Sequence, residues 1–82
     1  MKIRKIDVGF LHWCPGCDEA HIVEVPRWTW NGDEERPTVT PSVNMPGRCH
    51  YVLTGGVIRF CGDCSHGMAG KVVEMPDFPS DW

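Results

Sequence analysis

The chain has 82 residues, a length that fits a single domain spanning residues 1–82. Its net charge of −3, from 11 acidic and 8 basic side chains, disfavours a nucleic acid as the main partner, because nucleic-acid-binding domains usually present a basic surface. No apolar run approaches the roughly 20 residues needed to cross a bilayer, and no signal-peptide pattern is present. We therefore expect a cytoplasmic protein of a bacterial host, with no membrane partner.

The first predicted element is a hairpin whose tip carries two cysteines. Apolar residues at Val8–Trp13 and His21–Val25 indicate two strands, and Cys14 and Cys17 lie between them. Pro26 ends the second strand.

The middle of the chain combines a turn, a proline-rich loop and a second hairpin. Asn31-Gly32 indicates a turn before a charged, exposed segment. The prolines at positions 37, 41 and 46 predict an extended loop with few ladder hydrogen bonds. Gly55-Gly56 then predicts a tight turn between strands Cys49–Thr54 and Val57–Cys61.

The last part of the chain predicts little regular structure. At most one short helical turn begins near Ser65, Lys71–Met75 forms an extra strand, and residues 76–82 form an extended tail. The fold class predicted from all these elements is a small, mostly-β, zinc-ribbon-like domain with two hairpins and an extra strand.

Two C-x2-C motifs, Cys14–Cys17 and Cys61–Cys64, predict one metal site. In a reducing cytoplasm, clustered cysteines are more often metal ligands than disulfides. A redox dithiol would need a helix after the first motif, and the residues there indicate a strand. We expect one structural Zn²⁺; a single Fe held by four thiolates is the alternative.

The sequence alone leaves the fourth ligand open. Alternation along the second hairpin places Cys49 on the same face as Tyr51 and Leu53, with Cys64 nearby, and places Cys61 on the opposite face beside His50. Histidines at 21, 50 and 66 could also bind the ion. Of these, His66 is a candidate for contacting the ligands rather than the metal, and Asp63 is assigned the same role.

Several motifs occur in the same order as in one known family: WCPGC (13–17), His21, WTWNGD (28–33), RPTVTPS (36–42), CH (49–50), GVIRF (56–60), DCSHGMAG (63–70) and EMPDF (74–78). Through them the chain resembles a small phage and prophage family of unknown function, often labelled ammonia monooxygenase. In that family the position of Cys61 usually carries leucine. The resemblance therefore implies Cys14, Cys17, Cys49 and Cys64 as ligands, with Cys61 and His50 as alternatives for the fourth.

Three classes of function follow from these features. The favoured hypothesis is a phage or prophage accessory protein that binds an unidentified host or phage protein. Trp28 and Trp30, which share a face if the segment is extended, form its predicted binding patch; the alternative is that they cover the metal site and fill the core. The second hypothesis is a nucleic-acid-binding zinc ribbon. The third, least favoured, is a small zinc-dependent enzyme using Asp63, His50 or His66. Ammonia oxidation has no support, because it needs a redox metal and cysteine-rich sites select Zn or Fe–S.

Overall fold

The computed structural model describes all 82 residues, which form eight β-strands in two antiparallel sheets. The first sheet contains β1 (Ile3–Ile6), β2 (Gly9–Cys14) and β3 (Glu19–Glu24). The second contains β4 (Thr29–Trp30), β5 (Val39–Met45), β6 (Cys49–Thr54), β7 (Val57–Phe60) and β8 (Val72–Glu74). Within each sheet, every strand pairs with its neighbours along the chain, an order that short antiparallel connections allow; the chain passes from one sheet to the other between β3 and β4.

The core lies between the two sheets, and buried and less buried side chains alternate along β3, β6 and β7. In β6, Cys49, Tyr51 and Leu53 are buried, whereas His50 and Val52 are only half-buried. One face of the second sheet therefore packs on the first sheet and the other faces solvent. The two inner faces supply a single core cluster: Ile3, Phe10, Cys14, Val23, Val39, Val43, Cys49, Tyr51, Leu53, Ile58, Phe60 and Met75.

The predicted hairpin around Gly55-Gly56 is confirmed in position and register. Leu53 pairs with Ile58 and Tyr51 pairs with Phe60. The two glycines have φ angles of 56° and 80°, a conformation that is unfavourable for residues with a Cβ atom. The first predicted hairpin also forms, as β2 and β3, and the last predicted strand forms as β8.

The proline-rich segment differs from its prediction. It forms strand β5, which pairs with β4 on one side and β6 on the other. The ladder shifts register between Val39 and Val43, so Pro41 falls in the irregular part, while Pro37 and Pro46 lie outside the strand. Proline is tolerated at such irregularities, so the segment can still pair as a strand. The prediction of a ladder-poor loop is therefore wrong. This strand, with β1 and β4, also brings the count above the predicted two hairpins and one strand.

The fold class is as predicted: a small all-β domain whose Cys/His cluster is compatible with a zinc-ribbon-like fold. The predicted helical turn near Ser65 is instead a series of turns and bends between residues 61 and 70. No helix could span a bilayer. The tail, residues 76–82, forms no strand, but Phe78 is largely buried and its backbone N–H donates to the Met1 carbonyl at 2.8 Å.

Candidate functional site

Cys14 and Cys17 are presented by the turn between β2 and β3. Cys14 is the last residue of β2 and is fully buried, and the backbone N–H of Cys17 donates to its Sγ at 3.4 Å. The Asp18 N–H closes the same turn by donating to the Cys14 carbonyl at 2.8 Å. Amide hydrogen bonds to sulfur favour the thiolate, which is the form that binds metals.

Cys49 and His66 complete this group from the side of the second sheet. Cys49 begins β6 on the inner face, and its Sγ lies 3.9 Å from Cys14 Sγ and 3.3 Å from His66 Nε2. The ligand atoms of Cys14, Cys17, Cys49 and His66 all lie within 4.8 Å of one another. Three separate parts of the chain thus converge on one point.

The donor set fits a zinc ion. Zn²⁺ binds cysteine sulfur at about 2.3 Å in a tetrahedral arrangement, which separates neighbouring donors by about 3.8 Å. The two distances from Cys49, 3.9 Å to the sulfur of Cys14 and 3.3 Å to the nitrogen of His66, are close to this value. The His66 ring also packs directly on Gly16, where an added Cβ atom would overlap the ring. The glycine of the CPGC motif therefore makes room for the fourth donor.

Cys64, a predicted ligand, and Cys61, its predicted alternative, are not in this group of donors. The Sγ of Cys64 contacts the backbone of His50, accepting its N–H at 3.3 Å and donating to its carbonyl at 3.2 Å. Cys61 also lies outside the donor cluster. His66, which was expected to contact the ligands only, lies within the donor cluster, with its ring against Gly16, and is therefore a candidate for the fourth ligand.

Burial raises the pKa of the two innermost thiols of the cluster, Cys14 and Cys49, and so favours their neutral form. Desolvation, followed by the nearby Cys14 and Cys17, raises the pKa of Cys49 far above its ordinary value. Burial also raises the pKa of Cys14. Metal binding at this site is therefore expected to release protons.

A buried polar network lies beside the cysteines and joins the two sheets. The Tyr51 hydroxyl lies 2.6 Å from His12 Nε2 and 3.1 Å from His21 Nδ1. Desolvation lowers the pKa of His12 to about 3 and that of His21 to about 4, so both rings are neutral at pH 7. The hydroxyl can donate to one neutral ring and accept from the other.

On the opposite face of β6, three polar side chains form a hydrogen-bonded chain. The Ser42 hydroxyl donates to His50 Nε2 at 3.0 Å. On the other side of the ring, Nδ1 lies 3.2 and 3.3 Å from the two carboxylate oxygens of Asp63. A hydroxyl, an imidazole and a carboxylate connected in this order form the catalytic triad of serine hydrolases.

Strand register and three hydrogen bonds to backbone atoms hold this chain of polar side chains in place. Asn44 pairs with His50 across β5 and β6, and Ser42 lies two residues before Asn44 on the same face. The Trp28 indole N–H donates to the Ser42 carbonyl at 3.3 Å. Cys64, next to Asp63 in the chain, binds both backbone groups of His50.

Trp28 and Trp30, the predicted partner-binding residues, are both half-buried and pack against the core. The Trp30 indole N–H donates to the Asp33 carbonyl at 3.2 Å, and its ring lies 5.0 Å from that of Phe10. These contacts favour the structural interpretation, and partner binding through the two tryptophans stays a prediction.

Ser42 is a candidate functional residue that the sequence patterns do not reveal. It lies 8 residues before His50, and Asp63 lies 13 residues after His50. No local motif links these positions, because their proximity depends on the β5–β6 register and on the course of the loop after β7. His50 and Asp63 were expected to act, if at all, beside a catalytic zinc. In the structure His50 contacts both Asp63 and the Ser42 hydroxyl.

A family model described as bacterial ubiquitination-like system serine protease (BubE) matches residues 2–61. The matched region contains Ser42 and His50 and ends before Asp63. It gives no support to the expected phage or prophage origin. No curated protein and no solved structure matches the chain. Because the matched region covers well over half of the residues, this chain belongs to the BubE family.

Proposed function

We propose that this protein is a serine protease that acts in a bacterial ubiquitination-like system, with Ser42 as its nucleophile. The observation that carries the proposal is the hydrogen-bonded chain from Ser42 through His50 to Asp63. The family description supports the same chemistry independently of this geometry.

Each member of the triad has a defined task in peptide hydrolysis. Ser42 Oγ attacks the scissile carbonyl carbon while its proton passes to His50 Nε2. Asp63 stabilises the resulting imidazolium and fixes the ring so that Nδ1 carries a proton. His50 then returns the proton to the leaving amine, and water, activated by the same ring, releases the acyl group from Ser42.

The surroundings of the triad suit a polypeptide substrate. His50 shares the solvent-facing side of β6 with Val52 and Thr54. These two residues, with Val57 and Arg59 of β7, line a cavity of about 330 Å³ on the same side of β6 as His50. An extended chain lying on this open sheet face could reach Ser42 without entering a closed cavity.

The Cys14, Cys17, Cys49 and His66 cluster is proposed to bind one structural Zn²⁺. Four protein ligands leave no open position for substrate or water, and a bound ion would crosslink both sheets and the loop after β7. Iron in the same site would give the purified protein visible absorbance. A colourless protein with one equivalent of zinc would support the assignment.

Labelling with a fluorophosphonate probe tests the proposed nucleophile. The probe should form a covalent adduct on Ser42, located by peptide mass spectrometry. Ser42→Ala should abolish labelling, and Asp63→Asn should slow it by about 10³–10⁴-fold, because the asparagine favours the wrong imidazole tautomer.

Ser65→Ala is the matched control. Ser65 is exposed, and its hydroxyl donates to the Arg48 carbonyl at 3.1 Å rather than to a histidine. This variant should react like the unmodified protein. Labelling that persists in Ser42→Ala, or that depends on Ser65, would contradict the proposed triad.

Binding of a phage or host protein, and binding of a nucleic acid, stay predictions. The half-buried positions of Trp28 and Trp30 favour neither of them.

A further inference from the structure

Cys61 has no role in either site described above, yet it lies beside the triad. It follows β7 and begins the loop that carries Asp63. Ligand atoms of His50, Cys61 and Asp63 lie within 4.8 Å of one another. Cys61 forms no disulfide, and it belongs to a different group of donors from Cys14, Cys17, Cys49 and His66.

We propose that His50, Cys61 and Asp63 form a second, inhibitory site for Zn²⁺. Imidazole, thiolate and carboxylate are all ligands of this ion, and three protein ligands leave a fourth position for water. The inhibitory role rests on the proposed function of Ser42, whereas the metal-binding role rests only on the three donors.

The inhibition follows from the position of the proton on the two ring nitrogens of His50. His50 Nδ1 faces Asp63, and Nε2 faces the Ser42 hydroxyl. An ion on Nδ1 leaves the ring proton on Nε2, because a neutral imidazole carries one proton and coordination requires a free nitrogen lone pair. Binding thus releases one proton, from the Cys61 thiol, to solvent and moves the imidazole proton from Nδ1 to Nε2. Nε2 can then no longer accept the proton of Ser42.

The second site is more accessible than the first. The side chain of His50 is 25% exposed and that of Asp63 is 65% exposed, whereas Cys14 and Cys49 are 0% and 1% exposed. The second site has fewer protein ligands and is in contact with solvent. An ion bound by His50, Cys61 and Asp63 should therefore bind more weakly and exchange faster than an ion in the buried cluster. A weak chelator should therefore restore labelling of Ser42 while an ion in the buried cluster stays bound.

Cobalt titration tests metal binding without any use of activity. Protein that holds one equivalent of zinc, kept reduced with a phosphine, is titrated with Co²⁺. We expect a second equivalent to bind with thiolate-to-cobalt absorption in the near ultraviolet. Cys61→Ser should weaken this binding by about 10-fold or more and remove the absorption band. The absence of that band in the unmodified protein would overturn the proposal.

The rate of fluorophosphonate labelling at Ser42 tests inhibition. Zn²⁺ beyond the first equivalent should slow labelling of the unmodified protein by about 10-fold or more, but should change the rate in Cys61→Ser or Cys61→Leu by less than about 2-fold. Equal inhibition of all three proteins would overturn the inhibitory role. If none of the proteins reacts with the probe, the proposed nucleophile fails and with it the inhibitory role, while the cobalt titration still decides the metal site.

Discussion

Replacing Tyr51 with phenylalanine should destabilise the protein, because it leaves two buried imidazoles without their shared partner. The Tyr51 side chain is fully buried, and its hydroxyl lies 2.6 Å from His12 and 3.1 Å from His21. The other ring nitrogens, His12 Nδ1 and His21 Nε2, have no hydrogen-bond partner, so neither ring retains a contact that would compensate. Each unsatisfied buried group costs about 1–3 kcal/mol. Allowing for the hydroxyl group that no longer needs desolvation, we expect the free energy of unfolding to fall by about 2–4 kcal/mol.

Urea unfolding of the zinc-saturated protein, followed by tryptophan fluorescence, measures this change. Leu53→Met is the matched control, because Leu53 is equally buried on the same face of β6 and its replacement conserves volume at a cost below about 1.5 kcal/mol. If Tyr51→Phe lowers stability no more than Leu53→Met does, the two hydrogen bonds do not stabilise the fold and the reasoning is refuted.

Three further predictions concern the donor cluster, the surroundings of Ser42 and the turn at Asp33. Gly16→Ala should weaken zinc binding, measured by competition with a chromogenic chelator, because the new Cβ atom overlaps the His66 ring; unchanged affinity would exclude His66 as a ligand. Trp28→Phe should slow fluorophosphonate labelling by about 10-fold while the protein stays folded, because the Ser42 carbonyl loses its indole donor. Two backbone N–H donors lower the pKa of Asp33, so NMR titration should place its midpoint below the ordinary value of 3.8. The stability that this turn contributes is present above pH 3.8 and is lost as the pH falls through the folded-state pKa, and Asp33→Asn should remove that pH dependence.

Local signals determined which parts of the fold could be predicted. The hairpin at Gly55-Gly56 was predictable in register because the turn residues and the apolar alternation lie within a dozen residues of each other. The strand formed by the proline-rich segment was not, because its pairing with β4 and β6 outweighs the unfavourable propensity of proline and the ladder adapts by shifting register.

The candidate site likewise has parts that local sequence signals predict and parts that they do not. Alternation along β6 correctly placed Cys49 on the inner face with Tyr51 and Leu53. Whether Cys64 or His66 lies in the donor cluster depends on the course of the loop between residues 61 and 70. The spacing of the cysteines does not predict that course. Ser42 was missed because its contact with His50 depends on the β5–β6 register, and that register shifts at an irregularity in β5.

The two sites are joined by the strand and the loop that they share. Cys49 and His50 are consecutive in β6 and point to opposite faces of the sheet, so an ion held by Cys49 would fix the backbone that carries His50. Asp63 and His66 lie in one loop, so the same ion would restrain the position of the carboxylate that faces His50. A domain of 82 residues has a small core, so such a crosslink would add substantially to its stability. Removal of the inner zinc should therefore abolish labelling of Ser42 through displacement of His50 and Asp63, although the ion contacts no reacting atom.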